Sequence, residues 1–301
     1  AAVPDSDDTA FALNSDFGED GAFKIMITSK RLLQNEVKIW SSVQHPNCVS
    51  LIGASMDGNK LVLCCELMSG GSLFSQHTRR LKDKAALLST AECALRMLQV
   101  ASGMAYMHAM TPPLIHRDLK SHNILIRSDG ERLKISDFGL ARLSTASTGD
   151  MTAETGSYRW MAPEVMRHEP YGPKCDVYSF AILSWEICTY RVPFPSQTPV
   201  QVAMGVATGT LRPEIPKHIS ARLAALIRRC WSYKPEERPT MTEVKEEVVA
   251  ISKAEEPRAS RRSFRDEKLP VHGGDVFGKI LPSSFRAASP SALISSDEER
   301  G

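Results

Sequence analysis

His116-Arg-Asp-Leu-Lys-Ser-His-Asn123 is the stretch of this sequence that decides the fold, together with two short motifs that follow it. Asp137-Phe-Gly139 comes after a predicted hairpin, and Ala162-Pro-Glu164 completes the set. Each short string alone is a weak signal, because tripeptides recur by chance. Three of them in this order, at workable spacings and with a hairpin between two of them, form a context that chance does not explain.

The residue types in these motifs suit the transfer of a phosphoryl group. That reaction needs a carboxylate that accepts the proton of the attacking hydroxyl, oxygen ligands for Mg²⁺, and a cation near the phosphate. Asp118 is the candidate base and Lys120 the candidate cation. Asn123 and Asp137 are the candidate metal ligands, and the hairpin between them would bring them to one metal centre.

Length, charge and cysteine usage exclude several other classes of protein. A chain of 301 residues permits one large domain, or two lobes with a tail. The net charge of +2 predicts no nucleic-acid partner. No apolar run approaches the ~20 residues of a membrane helix, and the acidic first residues are unlike a signal peptide, so we expect no membrane span and a cytoplasmic location. The seven cysteines form no C-x-x-C pair, which favours buried thiols in a reducing compartment.

Hydrophobic periodicity predicts an α+β fold in which strands come first and helices follow. Residues 1–21 are acidic and show no sustained period, so this lead-in is predicted to be irregular. Asp57-Gly58 is a hairpin turn signal between two β runs. The elements predicted in this part are a strand at Phe23–Ile27, a helix over 29–42, and strands at Cys48–Ala54 and Lys60–Cys65.

The chain after Gly70-Gly71 is predicted to be mostly helical. Ser89-Thr-Ala-Glu92 is a capping box that opens a helix, and residues 176–188 are apolar nearly all round, which predicts a helix buried in the middle of the domain. After Lys253 the composition turns to Ser, Pro, Arg and Glu, so residues 253–301 are predicted to be a disordered tail. Further predicted elements are a hairpin with strands at 124–126 and 133–135, and helices over 198–206, 219–231 and 241–252.

With these motifs the chain resembles the protein-kinase superfamily, and within it the Raf-like Ser/Thr kinases of the tyrosine-kinase-like group, of plant and algal type. MTAETGSYRWMAPEV at Met151–Val165 is the best match to that group. The resemblance implies a bilobal protein-kinase fold, with a small β-rich N-lobe over 22–68 and a large helical C-lobe over 69–252. Other matching motifs are HPN at His45–Asn47, CDVYSF at Cys175–Phe180, LRPEIP at Leu211–Pro216, and CW…ERP from Cys230 to Pro239.

The resemblance implies a role for each matching residue of the catalytic centre. Asp118 would be the catalytic base, and Asn123 with Asp137 would hold Mg²⁺. Lys120 would lie against the γ-phosphate, and a Lys two residues after the Asp is the Ser/Thr kinase pattern rather than the tyrosine kinase pattern. Ser157 would contact the catalytic centre and the substrate hydroxyl.

The resemblance also assigns residues that bind ATP. The backbone groups of Glu66, Leu67 and Met68 would form the hinge that binds adenine, with Cys65 as the gatekeeper. Leu125 would be the apolar floor beneath the base. Two structural anchors are implied as well: Glu164 would pair with Arg238, and Asp176 would hold the catalytic loop.

The N-lobe departs from the family pattern and is predicted to be incomplete. The family's G-x-G-x-x-G loop is missing, and Asp16-Phe-Gly-Glu19 resembles only its last part. Lys24 is the candidate ATP-binding lysine, and its alternative is an exposed lysine with no role. Its expected ion-pair partner, Glu36, follows after only twelve positions, fewer than in other family members.

Two hypotheses about function follow from the sequence. The first is a Ser/Thr protein kinase that transfers the ATP γ-phosphate to protein hydroxyls in intracellular signalling. The second is a pseudokinase, a scaffold module with weak or no catalysis, because of the defective N-lobe. The expected partners are a protein substrate and an upstream activating kinase that modifies Thr152 or Thr155, and the oligomeric state is left open.

Overall fold

The computed structural model describes residues 13–14, 23–29, 34–57, 60–138, 142–143 and 157–255. The chain divides into two compact units, one ending at Met68 and the other beginning at Ser69. The first contains a small antiparallel sheet and one helix, and the second is mainly helical. The predicted α+β fold, with a small sheet-containing region followed by a large helical one, is confirmed.

The sheet of the first unit has four antiparallel strands in the order β1-β2-β4-β3. Its short strand β1 lies within the lead-in that was predicted to be irregular. Asp57 pairs with Lys60, so β3 and β4 form the predicted hairpin with a two-residue connection. The elements are β1 Leu13–Asn14, β2 Phe23–Ser29, helix α1 Gln34–Ser42, β3 Leu51–Asp57 and β4 Lys60–Glu66.

Several predicted boundaries in the first unit were wrong: β2 ends at Ser29 rather than Ile27, and β3 ends at Asp57 rather than Ala54. Ser29 was assigned to the helix but ends strand β2, and the helix is described only from Gln34. Strand β3 begins at Leu51 rather than Cys48, because residues 45–48 form a turn. In that turn the Cys48 N–H donates to the His45 carbonyl at 3.0 Å, and Cys48 forms an isolated bridge rather than part of β3.

Trp40 packs into the core of the first unit without leaving a polar atom unsatisfied. The side chain is buried, and its indole Nε1 donates to the Val49 carbonyl at 2.7 Å. A buried indole needs such a partner, since an unpaired N–H in an apolar environment is costly. The bulky residue therefore ties α1 to the segment that leads into β3.

The second unit is built around helix α5, whose residues from Cys175 to Thr189 are all buried, as predicted. The capping box at Ser89 and Glu92 is present and opens α3. Helix α2 was not predicted, and α8 continues to Glu255, past the predicted start of the tail. The helices are α2 Leu73–Lys82, α3 Thr90–His108, α4 Pro163–Met166, α5 Lys174–Thr189, α6 Pro199–Ala207, α7 Ala221–Cys230 and α8 Met241–Glu255.

Two short ribbons complete the second unit. Strand β5 (Leu114–Ile115) pairs with β8 (Arg142–Leu143), and β6 (Ile124–Ile126) pairs with β7 (Leu133–Ile135) as predicted. The turn between β6 and β7 needs a left-handed residue, and Gly130 supplies it with φ +75°. The catalytic motifs flank this hairpin.

All seven cysteines are free thiols, and all but Cys64 are buried, as the sequence predicted. Among the helices that the structure describes, none combines the length and the apolar character needed to cross a membrane. The predicted tail from residue 256 onward lies outside the described residues.

Candidate active site

The loop at His116–Asn123 is held from below by a buried carboxylate on helix α5. Asp176 accepts hydrogen bonds from the backbone N–H groups of His116 at 2.8 Å and Arg117 at 2.9 Å, and lies 2.9 Å from Nε2 of His108. Burial alone would raise the pKa of Asp176, but the hydrogen bond and charge of His108 and the backbone hydrogen bond from His116 outweigh it and hold that pKa below its usual value. The predicted anchor is therefore present.

His116 fixes the backbone on both sides of the hairpin. The ring is fully buried, with Nε2 3.1 Å from the Ser136 carbonyl, and the Asp118 N–H donates to Nδ1 at 3.3 Å. A carbonyl only accepts, so Nε2 carries the proton and the neutral ring accepts at Nδ1. His116 thus links the start of the loop to the residue that precedes Asp137.

Two residues of the motifs have left-handed backbones. Arg117 has φ 67° and Asp137 has φ 65°, a conformation that costs roughly 1–2 kcal/mol for a residue with a side chain. At Arg117 the hydrogen bond to Asp176 holds the strained peptide in place. Such strain is concentrated at functional sites, where it aims side chains that a relaxed backbone would direct elsewhere.

Asp118, Lys120 and Asn123 form a compact polar cluster. Lys120 Nζ lies 2.7 Å from Oδ2 of Asp118, and Asn123 Nδ2 donates to the same oxygen at 2.8 Å. Lys120 Nζ also donates to Ser157 Oγ at 2.9 Å, which brings residues 157–160 to the loop at His116–Asn123. Within the described part of the chain, Oδ1 of Asp118 keeps no hydrogen-bond partner, so it is available to an incoming hydroxyl.

The hairpin brings the two candidate metal ligands to neighbouring positions. Ser136 donates from its N–H and its Oγ to the Asn123 carbonyl, at 2.9 and 3.0 Å, so Asp137 follows directly after a residue bonded to Asn123. The amide hydrogens of Asn123 point to the backbone and side-chain oxygens of Asp118, which fixes the amide orientation. The side-chain amide oxygen of Asn123 and the exposed Asp137 carboxylate are the hard oxygen donors that Mg²⁺ prefers.

A buried ion pair connects the Ala162-Pro-Glu164 motif to the far end of the second unit. Arg238 donates to both carboxylate oxygens of Glu164, at 2.6 and 2.8 Å, as predicted from the family resemblance. Its guanidinium also donates to the carbonyls of Lys174, Ser232 and Tyr233. This arginine therefore joins the motif to the first residue of α5 and to the segment after α7.

The predicted nucleotide-binding residues are only partly described. Glu66 ends β4, and its N–H donates to the Ser50 carbonyl at 3.0 Å; Met68 is buried. Leu125, in the second unit, is half-buried on β6. The backbone of Lys24 lies on β2 and that of Glu36 in α1, but the side chains of both are outside the part of the chain that the structure describes. So are residues 16–19 and the threonines at 152 and 155.

One buried acid near the loop was missed by the sequence analysis. Glu186 on α5 accepts from Ser121 Oγ at 2.8 Å and from Trp160 Nε1 at 2.6 Å. Burial raises the pKa of Glu186 to about 8, and the hydrogen bonds from Trp160 and Ser121 offset part of that effect. The available signal was a glutamate within a helix that is apolar on every side, since a buried carboxylate requires partners.

Comparisons with known proteins agree with this arrangement. The family model described as "Protein tyrosine and serine/threonine kinase" matches residues 23–248. "Serine/threonine-protein kinase STY46" of Arabidopsis thaliana is 40% identical over 249 residues, covering 83% of this chain and 41% of that relative. "Serine/threonine-protein kinase STY17" of the same plant is 42% identical, covering 71% of this chain and 36% of that relative.

A third relative has a broader name. "Serine/threonine/tyrosine-protein kinase HT1" of Arabidopsis thaliana is 39% identical over 224 residues, covering 74% of this chain and 55% of that protein. The chain thus spans about two-fifths of the length of the first two relatives and about half of the third. The chain belongs to the protein tyrosine and serine/threonine kinase family, and its predicted resemblance to the plant Raf-like Ser/Thr kinases of the tyrosine-kinase-like group is confirmed.

Proposed function

We propose that this chain is a Ser/Thr protein kinase domain that transfers the γ-phosphate of ATP to serine and threonine hydroxyls of proteins. The observation that carries the proposal is the cluster at Asp118, in which Lys120 and Asn123 bond carboxylate oxygen Oδ2, while no residue in the described part of the chain bonds Oδ1. A base must meet the proton of the attacking hydroxyl within hydrogen-bond reach. The open Oδ1 supplies that position, beside a cation suited to the phosphate.

Each residue of the cluster has a distinct part in the proposed reaction. Asp118 orients the substrate hydroxyl and accepts its proton as the phosphoryl group is transferred. Lys120, held at 2.7 Å from Asp118 and 2.9 Å from Ser157, stabilises negative charge on the transferring group. Ser157 keeps residues 157–160 close to the acceptor hydroxyl. Positioning and electrostatics are the main contributions a protein makes to this reaction.

Asn123 and Asp137 are proposed to hold Mg²⁺. Support comes from the orientation of Asn123, whose two amide hydrogens are used by Asp118 while its oxygen is left for a cation. When bound, the metal would neutralise charge on the phosphates. The bonds from Ser136 to the Asn123 carbonyl keep the two candidate ligands together without the metal.

ATP binding is proposed to use Lys24, Glu36, the backbone of Glu66 and Met68, and Leu125. The support is backbone register, since Lys24 pairs with Cys65 across β2 and β4, one residue before Glu66. A lysine on that strand lies next to the strand that ends in the proposed hinge. The proposed lobes are residues 22–68 and 69–252.

A pseudokinase is the less favoured reading. A scaffold has no physical need for the base and both metal ligands, and this chain keeps all three with their supporting contacts. The relatives it matches are also named as serine/threonine or serine/threonine/tyrosine protein kinases. We further propose that the protein is cytoplasmic, that its substrate is a protein, and that an upstream activating kinase modifies Thr152 or Thr155.

The proposal is tested by transfer of labelled phosphate from ATP to serine-, threonine- and tyrosine-containing peptides. We expect Mg²⁺-dependent labelling of the serine and threonine peptides, and a loss of about 100-fold or more in kcat in Asp118→Asn. Asp83→Asn, at an exposed position after α2, is the matched control and should remain active. Labelling that survives in Asp118→Asn, or labelling of the tyrosine peptide alone, would contradict the proposal.

A further inference from the structure

Glu186 bridges two segments that both contribute residues to the proposed site, the catalytic loop and residues 157–160. The side chain comes from α5 and is 2% exposed. One carboxylate oxygen accepts from Ser121 of the catalytic loop at 2.8 Å, and the other accepts from Trp160 at 2.6 Å. Each oxygen therefore serves a different segment, and the acid touches neither Asp118 nor the acceptor site.

The same two segments are joined a second time, closer to the substrate. Ser121 follows Lys120 directly, and Trp160 lies three residues after Ser157. Lys120 Nζ donates to Ser157 Oγ at 2.9 Å, so this outer link uses a cation that the proposed function also assigns to the γ-phosphate. The inner link through Glu186 is buried and independent of substrate. It can keep the segments aligned while Lys120 redirects its hydrogen bonds.

Helix α5 gives the bridge a rigid base. Asp176 binds the start of the catalytic loop, and Glu186 binds Ser121 near its end. Ser179, between them on the helix, donates from Oγ to the Trp160 carbonyl at 2.8 Å. One helix thus holds the loop at two points and Trp160 at two atoms. The positions of the loop and of residues 157–160 are therefore both fixed by α5.

A carboxylate at this position is costly for the fold. Burial opposes its ionised form, and the pKa is raised to about 8 despite both hydrogen bonds. An apolar side chain would fill the site without that cost but would leave the Ser121 and Trp160 donors unpaired. A role in alignment accounts for the acid better than packing does.

We propose that Glu186 is a positioning residue that holds the catalytic loop and residues 157–160 in register, so that Ser157 stays beside Lys120 during phosphoryl transfer. The inference rests on the proposed kinase function, because register matters only if a hydroxyl and a phosphate must meet there. Misplacement of reacting groups by about 1 Å can cost on the order of 100-fold in rate.

The first test compares Glu186→Ala with Glu186→Gln. Glutamine can accept from Trp160 with its oxygen and donate to Ser121 Oγ with its amide, so it should retain kcat within about threefold, whereas alanine should lower kcat by about tenfold or more. The KM for ATP should stay within about twofold in both. Ser184→Ala is the matched control, since Ser184 is buried on the same helix and donates to the Phe180 carbonyl of that helix, at 2.7 Å.

Two outcomes of that test overturn the inference. One is a kcat of Glu186→Ala equal to that of Ser184→Ala. The other is an equal loss in Glu186→Gln and Glu186→Ala, since a bridge of hydrogen bonds should survive the conservative change. A general loss of structure would instead lower activity and thermal stability in the same proportion, with no separation of kcat from the KM for ATP.

A double-variant cycle tests the bridge with Glu186 in place. Ser121→Ala and Trp160→Phe each remove one end. If Glu186 couples the ends, the double variant should show about the same kcat as the worse single variant, because the segments are already uncoupled. Losses that multiply in the double variant would mean that the two contacts act independently, and the inference would fail.

Amide hydrogen exchange separates this inference from the proposed function. Trp160→Phe should speed exchange in the catalytic loop, 116–123, by about tenfold relative to wild type and Ser184→Ala, although residue 160 lies outside that loop. This readout requires no turnover. A wild-type chain that transfers no phosphate would refute the proposed function, and unchanged exchange in the loop would refute the bridge.

Discussion

The buried pair of Glu164 and Arg238 allows the sharpest test of the fold. Glu164→Ala removes a carboxylate that accepts two hydrogen bonds, at 2.6 and 2.8 Å, from a guanidinium whose side chain is 0% exposed. Arg238 keeps three backbone carbonyls as partners, so its donors are largely satisfied. Its charge, however, loses the only carboxylate that contacts it in the described residues.

The expected cost follows from that uncompensated charge. Removal of one partner of a buried ion pair destabilises a protein by about 3–5 kcal/mol. For a helical unit of this size, that corresponds to a fall in melting temperature on the order of 10 °C. Activity should fall as well, because Glu164 anchors the segment that carries Ser157 and Trp160.

The assay is thermal and urea unfolding, with Glu169→Ala as the matched control. Arg167 and Glu169 form a pair of the same geometry, with contacts of 2.7 and 2.6 Å, but the Glu169 side chain is 48% exposed. Water and salt screen that pair, so its loss should not measurably shift the melting temperature or the urea concentration at half-unfolding. Equal shifts in the two variants would refute the argument that burial sets the cost.

Three further predictions concern the pH dependence of stability, the cap of helix α3, and the hydrogen bond between Lys120 and Ser157. Glu186 binds its proton more tightly in the folded chain, with a pKa of about 8 against 4.5, so the unfolding free energy of wild type relative to Glu186→Gln should fall as pH rises from 4.5 to about 8. A constant difference in urea titrations would contradict this. Ser89→Ala removes the capping-box hydroxyl of α3 and should cost about 1 kcal/mol in urea unfolding, whereas Ser89→Asp should cost less than half as much; equal costs would argue against capping. Ser157→Ala should lower kcat by about tenfold or less and leave the KM for ATP unchanged, and a raised KM for ATP would place Ser157 in nucleotide binding instead.

Much of the second unit could be predicted because its signals are local. The capping box at Ser89, the hairpin with strands at 124–126 and 133–135, and the apolar run of α5 act over a few residues, and each was found where the sequence placed it. Boundaries were less predictable. Strand β3 starts late because the His45 turn competes with it, and that turn depends on a backbone bond that periodicity does not reveal.

Helix α2 shows another limit of local patterns. Its start is capped by Ser72, whose side chain accepts from the Ser75 N–H at 3.1 Å, but only Leu73 and His77 are buried along its ten residues. Two buried positions give too narrow an apolar stripe for a clear helical period. Tertiary contacts decide such an element, and its cap alone does not separate it from a turn.

The catalytic loop separates what the sequence by itself determined from what tertiary structure decided. Asp118 and Asn123 stand five residues apart in one loop, so their spacing already indicated a shared site. The contact of Lys120 with Ser157 spans 37 positions, and that of Ser121 with Glu186 spans 65. Residue type and local spacing determine which groups are present. Only the packing of α5 beneath the loop determines which distant residues contact these groups, because the strength of each contact depends on how close and how buried its two groups are.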